Sequence, residues 1–240
     1  WARTVVCPNP ACQVSMPLAR SFWLKKDKSK PAWIKPVLVD GKFKYEVKYD
    51  AKGPEIEGTI DRTGGICLAC ETAVPLRYIK DQGKTNQMSV QLMAIVAAGN
   101  RERVYIPADM VQIKAANVMP TEINNDAYLH EELPNNPRDF NVKNYGLDTF
   151  RKLFTDRQTL ALTTFSELVR LIGPIVIQDA LKVGLDRKTA EDYAGAITLY
   201  LSLAVGRCSD YNSTICTWHI NRETIRNTFA RQSVPMTWDF

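Results

Sequence analysis

Four cysteines set in two close pairs constrain this chain more than any other feature. The first pair reads Cys7-Pro8-Asn9-Pro10-Ala11-Cys12 and the second Cys67-Leu68-Ala69-Cys70. Short spacings let a backbone turn aim both sulfurs of a pair at one point, and Zn²⁺ favours a tetrahedron of thiolates. Residues 14–24 and 73–79, which follow the two pairs, have strand character, giving the turn-then-strand plan of a zinc ribbon. The first spacing is longer than a tight knuckle and holds two prolines. The 54 residues between Cys12 and Cys67 exceed the about 15–20 of a compact ribbon. Two disulfides, or reduced thiols in a core, are the competing readings. Four thiolates leave no position for water, so a zinc held by Cys7, Cys12, Cys67 and Cys70 is structural and not catalytic.

The charge is lopsided. Residues 1–120 hold 18 Lys and Arg against 11 Asp and Glu, a net +7, while residues 121–240 hold 13 against 15, a net −2. Lys25, Lys26, Lys28, Lys30 and Lys35 concentrate that charge between the Cys pairs. Such a run suits a polyanion met through phosphate neutralisation; a lysine-decorated edge strand that resists aggregation is the alternative. The longest apolar run, residues 172–183, is interrupted by Gly173-Pro174, Gln178, Asp179 and Lys182, so no membrane span is expected. Cysteines at metal-type spacing imply a reducing cytoplasm. Because the chain opens on Trp1 and closes on Phe240, it reads as a piece of a longer protein. The triplet Asn212-Ser213-Thr214 matches a glycosylation acceptor but is short enough to arise by chance.

The pattern predicts an α+β chain: a β-rich zinc-ribbon domain over residues 1–119, a linker over 120–149 and a small helical domain over 150–240. Phe43, Tyr45, Val47 and Tyr49 alternate with charged residues, the period of a half-buried strand, and Asp40-Gly41 pairs it with residues 33–39 as a hairpin. Residues 90–97 and 104–106 read as further strands, with a turn at Asn100-Arg101. Pro107 is expected to open a helix running to about residue 119. Residues 120–146, which include His130, read as loop. Thr155 and Gln158 match a capping box, and Gly173-Pro174 should kink or divide the helix that follows. Asp186 caps a second helix whose apolar face holds Tyr193, Ala196, Ile197, Tyr200, Leu201 and Leu203. Asn221 is expected to cap a third, running to about residue 229.

Other chemistry is thinner. Cys208, Cys216 and His219 lack a fourth ligand and read as buried or structural residues. Arg222 and Arg226, one turn apart on the expected third helix, join Arg231-Gln232 as candidate nucleic-acid contacts or as partners of acidic neighbours. Phe22, Trp23 and Trp33 read as a small β-domain core, with base stacking as the alternative. No glycine-rich cofactor loop and no Asp-Pro-Pro-Tyr string occurs, so no catalytic or cofactor-binding residue is assigned.

Several strings carry a family resemblance. The Cys7–Cys12 pair with Pro17-Leu18-Ala19-Arg20-Ser21-Phe22-Trp23-Leu24 resembles the zinc-ribbon adenine-specific DNA methylases of bacteria and archaea. So do Arg157-Gln158-Thr159-Leu160-Ala161-Leu162-Thr163-Thr164-Phe165, Asp210-Tyr211-Asn212-Ser213, Trp218-His219 and the closing stretch from Phe229 through Pro235-Met236-Thr237-Trp238-Asp239-Phe240. The resemblance implies a parent enzyme that moves a methyl group from S-adenosylmethionine to adenine N6 in DNA. In that family the cofactor loop precedes the ribbon and the Asp-Pro-Pro-Tyr motif follows the Trp-Asp-Phe stretch. Only the four cysteines match a family site. The segment would then contribute duplex-DNA binding or target recognition beside the remaining methyltransferase domains. The competing reading is a structural or protein-interaction module without direct DNA contact. A free-standing zinc-ribbon RNA or transcription factor fits the truncated ends poorly.

Overall fold

The computed structural model describes residues 1–117, 130–136, 138–229, 234 and 236. The expected helix end near 119, much of the 120–146 loop, Arg231-Gln232 and most of the closing stretch lie outside the described residues. The architecture is α+β, with small antiparallel sheets ahead of two long helices. Strand β1 (Ala2–Val6) lies between β2 (Ser15–Leu18) and β8 (Ser89–Gln91). A second sheet runs β3 (Trp23–Lys25), β4 (Ala32–Val39), β5 (Lys42–Lys48). Short ladders join β6 (Gly64–Ile66) to β7 (Ala73–Pro75) and β9 (Ala94–Ala98) to β10 (Arg103–Pro107). Helices α1 (Leu76–Lys84) and α2 (Met110–Ala116) are short; α3 (Asp156–Lys182) and α4 (Arg187–Tyr211) pack on one another as a hairpin. The two-residue strands β11 (Trp218–His219) and β12 (Thr224–Ile225) follow.

The hairpin at Asp40-Gly41 forms as expected. Both residues take positive φ, 50° and 71°, and Val39 faces Lys42, the two-residue turn whose twist matches flanking strands. Phe43 points into the core while Lys42, Lys44 and Glu46 stay exposed. The capping boxes at Thr155/Gln158 and the Asp186 cap are also present. Phe22 and Trp33 are core residues, whereas Trp23 is only half-buried.

Elsewhere tertiary pairing overrides the local pattern. The expected strand 14–24 splits into β2 and β3, because residues 57–59 dock on the intervening turn: Phe22 N–H donates to the Glu57 carbonyl and Thr59 N–H to that of Ala19. The segment 73–79 stops being a strand at Pro75, whose missing N–H suits a helix start, and Ile79 is buried from α1. Residues 90–97 divide between β8 and β9 as Met93 turns into the core. Pro107 ends β10, and α2 instead begins after Asp109, which forms a capping box with Gln112. Helix α3 continues through Pro174 undivided, with α4 packed alongside. The third helix expected after Asn221 is the β11–β12 hairpin, so Arg222 and Arg226 do not share a helix face. Glu223, at φ 50°, is drawn into bonds with Lys25 and Tyr105 that a helix would not allow.

On α4, Ala190 and Ala194 are buried and Ile197 half-buried, yet Tyr193 and Tyr200 of the expected apolar face are 52% and 72% exposed. Helix α3 is, by length and composition alone, long and apolar enough to cross a membrane. The run weighed from sequence, residues 172–183, begins too far along the chain to show this: residues 160–177 carry only two charges, Glu167 and Arg170.

Helix α1 meets the 3₁₀ turn Asn141–Tyr145 backbone to backbone: a Cβ on Gly83 would stand 2.3 Å from the Tyr145 carbonyl oxygen. Gly83→Ala should therefore destabilise the chain by about 2–3 kcal/mol in urea unfolding. Gly195→Ala, in α4 with nothing within 4 Å of the new methyl, should stabilise it by up to about 1 kcal/mol.

Candidate metal centre and adjoining cleft

The residue after each Cys pair has a left-handed backbone: Gln13 at φ 49° and Glu71 at φ 58°. That turn lets the chain reverse and carry both sulfurs of a pair to one side. In the first loop Asn9 acts as the former, its side-chain oxygen accepting from Ala11 N–H and its carbonyl from Cys12 and Gln13 N–H. In the second, Glu71 N–H donates to the Cys67 carbonyl and Cys67 N–H to that of Thr72. Asn9 Nδ2 also donates to Thr72 Oγ1 at 3.3 Å, tying loop to loop.

Between the loops, the long spacer is stapled shut by Thr59, which is 3% exposed. Its hydroxyl donates to the Pro17 carbonyl at 2.5 Å and accepts from Ala19 N–H, and its carbonyl accepts from Ile66 N–H. Gly58 lies so close to the Ala19 and Arg20 carbonyls that a Cβ there would meet both within 2.6 Å. The spacer thus forms its own sheet and delivers Cys67 beside Cys7.

The four sulfurs converge. Cys7 Sγ is 3.6 Å from Cys70 Sγ, Cys12 Sγ is 3.9 Å from Cys67 Sγ, and all four lie within 4.8 Å of one another. A tetrahedron with Zn–S bonds of about 2.3 Å has edges of about 3.8 Å. All six cysteines are free, and the separations are far beyond the about 2.05 Å of a disulfide. Burial pushes the Cys7 thiol up to about 12 and raises Cys67, while the Thr72 hydroxyl and N–H lower Cys70 to about 6. A dication at the centre would resolve that conflict by favouring thiolate at every position. The donor set is compatible with a structural zinc site. Cys7 and Cys67 belong to the same core as Val5, Met16, Leu18, Phe43, Val74 and Ile79.

Among the described residues no other group of cysteine, histidine and carboxylate side chains is placed to hold a metal. Cys208 is exposed, whereas Cys216 is buried beside Ser213 and Thr228. His130 is exposed.

The lysine run is largely engaged. Lys25 pairs with Glu223 at 2.8 Å, Lys26 with Glu57 at 2.9 Å and Lys30 with Glu102 at 2.7 Å. Lys28, Lys35, Arg222 and Arg226 are exposed and form no ion pair among the described residues. A cleft of about 850 Å³ opens between the β3–β4 region, the start of α3 and the β11–β12 hairpin, lined in part by Trp1, Trp23, Trp218, Arg3, Arg103 and Arg157. Arg3 Nη2 donates to Thr214 Oγ1, and burial lowers its guanidinium to about 10. Arg103 lies 5.9 Å from the Trp218 ring centre and Arg157 5.1 Å from that of Trp1. Sequence reasoning missed this cleft because its walls come from both ends of the chain; the isolated arginines and indoles carry no spacing signal. No family model, curated protein or solved structure matches the chain.

The chain should bind one zinc, and Cys67→Ser or Cys70→Ser should lose it, measured by elemental analysis of the purified proteins. Full zinc content in both variants would remove the ligand assignment. Around Glu223, burial alone would raise the carboxyl, but Lys25 and the Tyr105 hydroxyl outweigh it and hold it below its ordinary 4.5. Its stabilising contribution is therefore present above that value and lost as pH falls through the lowered one. Glu223→Gln should cost about 1–2 kcal/mol at pH 7, with the gap to wild type closing in acid.

Proposed function

We propose that the chain is the zinc-ribbon and helical segment of an S-adenosylmethionine-dependent, adenine-specific DNA methyltransferase. In this reading it contributes DNA binding or target recognition and performs no catalysis. The carrying observation is the convergence of Cys7, Cys12, Cys67 and Cys70, the residues that match the family's ribbon, within 4.8 Å. Zinc at that point would supply on the order of 10 kcal/mol of folding energy to a β region built of small sheets. The cofactor loop and the Asp-Pro-Pro-Tyr string do not occur in residues 1–240, so methyl transfer is assigned to other domains of the parent enzyme.

The physical task of such a segment is positioning. Extruding an adenine from a duplex costs a few kcal/mol, and phosphate contacts from a neighbouring domain supply register and binding energy for that step. The basic balance of residues 1–120 supports this reading, and of the predicted DNA contacts Lys28, Lys35, Arg222 and Arg226 are exposed without an ion pair among the described residues. A second reading, a protein-interaction module, is favoured by the α3–α4 hairpin, where Phe165, Leu168, Leu171, Leu199, Tyr200 and Leu203 are each at least half exposed.

The zinc-loaded chain should bind duplex DNA weakly in a gel-shift assay, with affinity falling steeply as salt rises. Binding indifferent to salt, or none at low salt, would leave the interaction-module reading in its place.

A further inference from the structure

We infer that the cleft between the β3–β4 region and the base of the α3–α4 hairpin seats an unpaired nucleotide of a DNA strand. This rests on the DNA-binding reading above and identifies where the contact is made.

The cleft's size comes first. About 850 Å³ falls within the range of sites that enclose one small-molecule-sized ligand, and is too small for a duplex. Its chemistry comes second. The lining brings together three indoles, Trp1, Trp23 and Trp218, and three guanidinium groups, Arg3, Arg103 and Arg157. Asp156 is the one carboxylate in the lining, and Arg151 already pairs with it. Aromatic rings beside fixed cations suit a flat base joined to a phosphate, because stacking is indifferent to base identity while the cations track the backbone.

How the cations are held decides between the cleft and the lysine run. Lys25, Lys26 and Lys30 are neutralised by carboxylates. Arg103 and Arg157 are held over ring faces instead, which orders a guanidinium without cancelling its charge. Neither forms an ion pair among the described residues. Arg103 also feels the Glu223 carboxylate, but that group is already bonded to Lys25 and Tyr105, so a strand phosphate can still add negative charge beside both guanidinium groups. A base-paired strand shields its ring faces and gains nothing from the indoles.

The test compares two double variants of equal charge loss in the zinc-loaded chain, Arg103→Gln with Arg157→Gln and Lys84→Gln with Lys188→Gln, the latter two being exposed lysines outside both the cleft and the predicted DNA contacts. Melting temperature would first establish that each is folded. The probe is a fluorescently labelled single DNA strand about a dozen nucleotides long, read by anisotropy, with the quenching of tryptophan emission followed in parallel. The arginine pair should weaken single-strand binding about tenfold and abolish most of the quenching, while the lysine pair changes either by no more than about twofold. Equal losses in both pairs, or binding without tryptophan quenching, would overturn the inference. So would an RNA strand of the same sequence bound at least tenfold more tightly. Salt-sensitive duplex binding without any preference for the single strand would sink the cleft assignment and leave the DNA reading standing; no binding to either probe would sink both.

Discussion

The long spacer between the two cysteine pairs is closed by a neutral hydrogen-bonded staple, and the meeting of four sulfurs follows from that closure. Thr59 is buried and bonds to the backbone on both sides of the long spacer, at Pro17, Ala19 and Ile66. Without that closure, Cys67 would be tethered to Cys12 by 54 residues of chain, and bringing the pairs together would carry the full loop-closure entropy. With it, the spacer becomes a sheet of its own and the two knuckles face each other at fixed distance. Metal binding in such a site contributes on the order of 10 kcal/mol, comparable with the whole stability of an ordinary domain. Cys7 and Cys67 also sit in the main apolar core, so holding a metal there and packing that core are one event.

Electrostatics then sort the basic residues by how their charge is anchored. A lysine run suggests a binding stripe, but three of its members are drawn to Glu223, Glu57 and Glu102. The Lys25–Glu223 bond does structural work, since with Tyr105 and Trp218 it fastens the β11–β12 hairpin to the first half of the chain. The residues after α4 are therefore not part of a separate helical unit in their contacts. They return to the β-rich region and complete a cleft in which Arg103 and Arg157 rest on indoles.

The α3–α4 hairpin follows a different logic. The two helices bury one face against each other, through small residues such as Ala180, Ala190 and Ala194. Both keep large apolar side chains on other faces, Phe165 and Leu171 on one and Tyr200 and Leu203 on the other. Helices apolar on more than one face are suited to burial on more than one side. This feature supports the interaction reading and is independent of the metal centre.

Local chemistry was legible wherever a feature closes within a few residues. The Cys pairs, the Asp40-Gly41 hairpin, the Thr155/Gln158 box and the Asp186 cap all rest on bonds between near neighbours, and each stands where its residues predict. Strand ends, the fate of residues 221–229 and the exposure of α4 were not legible, because each is set by a partner far along the chain. Residues Asn221 and Arg222 have helix-start character by themselves, yet a single carboxylate at Glu223, reaching Lys25 and Tyr105, outweighs that weak propensity. The cleft is the extreme case: Arg3 meets Thr214 across 211 positions, a proximity that no spacing rule encodes. Sequence alone determined which atoms were available to bind a metal. Only the tertiary structure decided which cations would be neutralised and which would keep their charge, because that outcome depends on distances between segments that local propensities leave free.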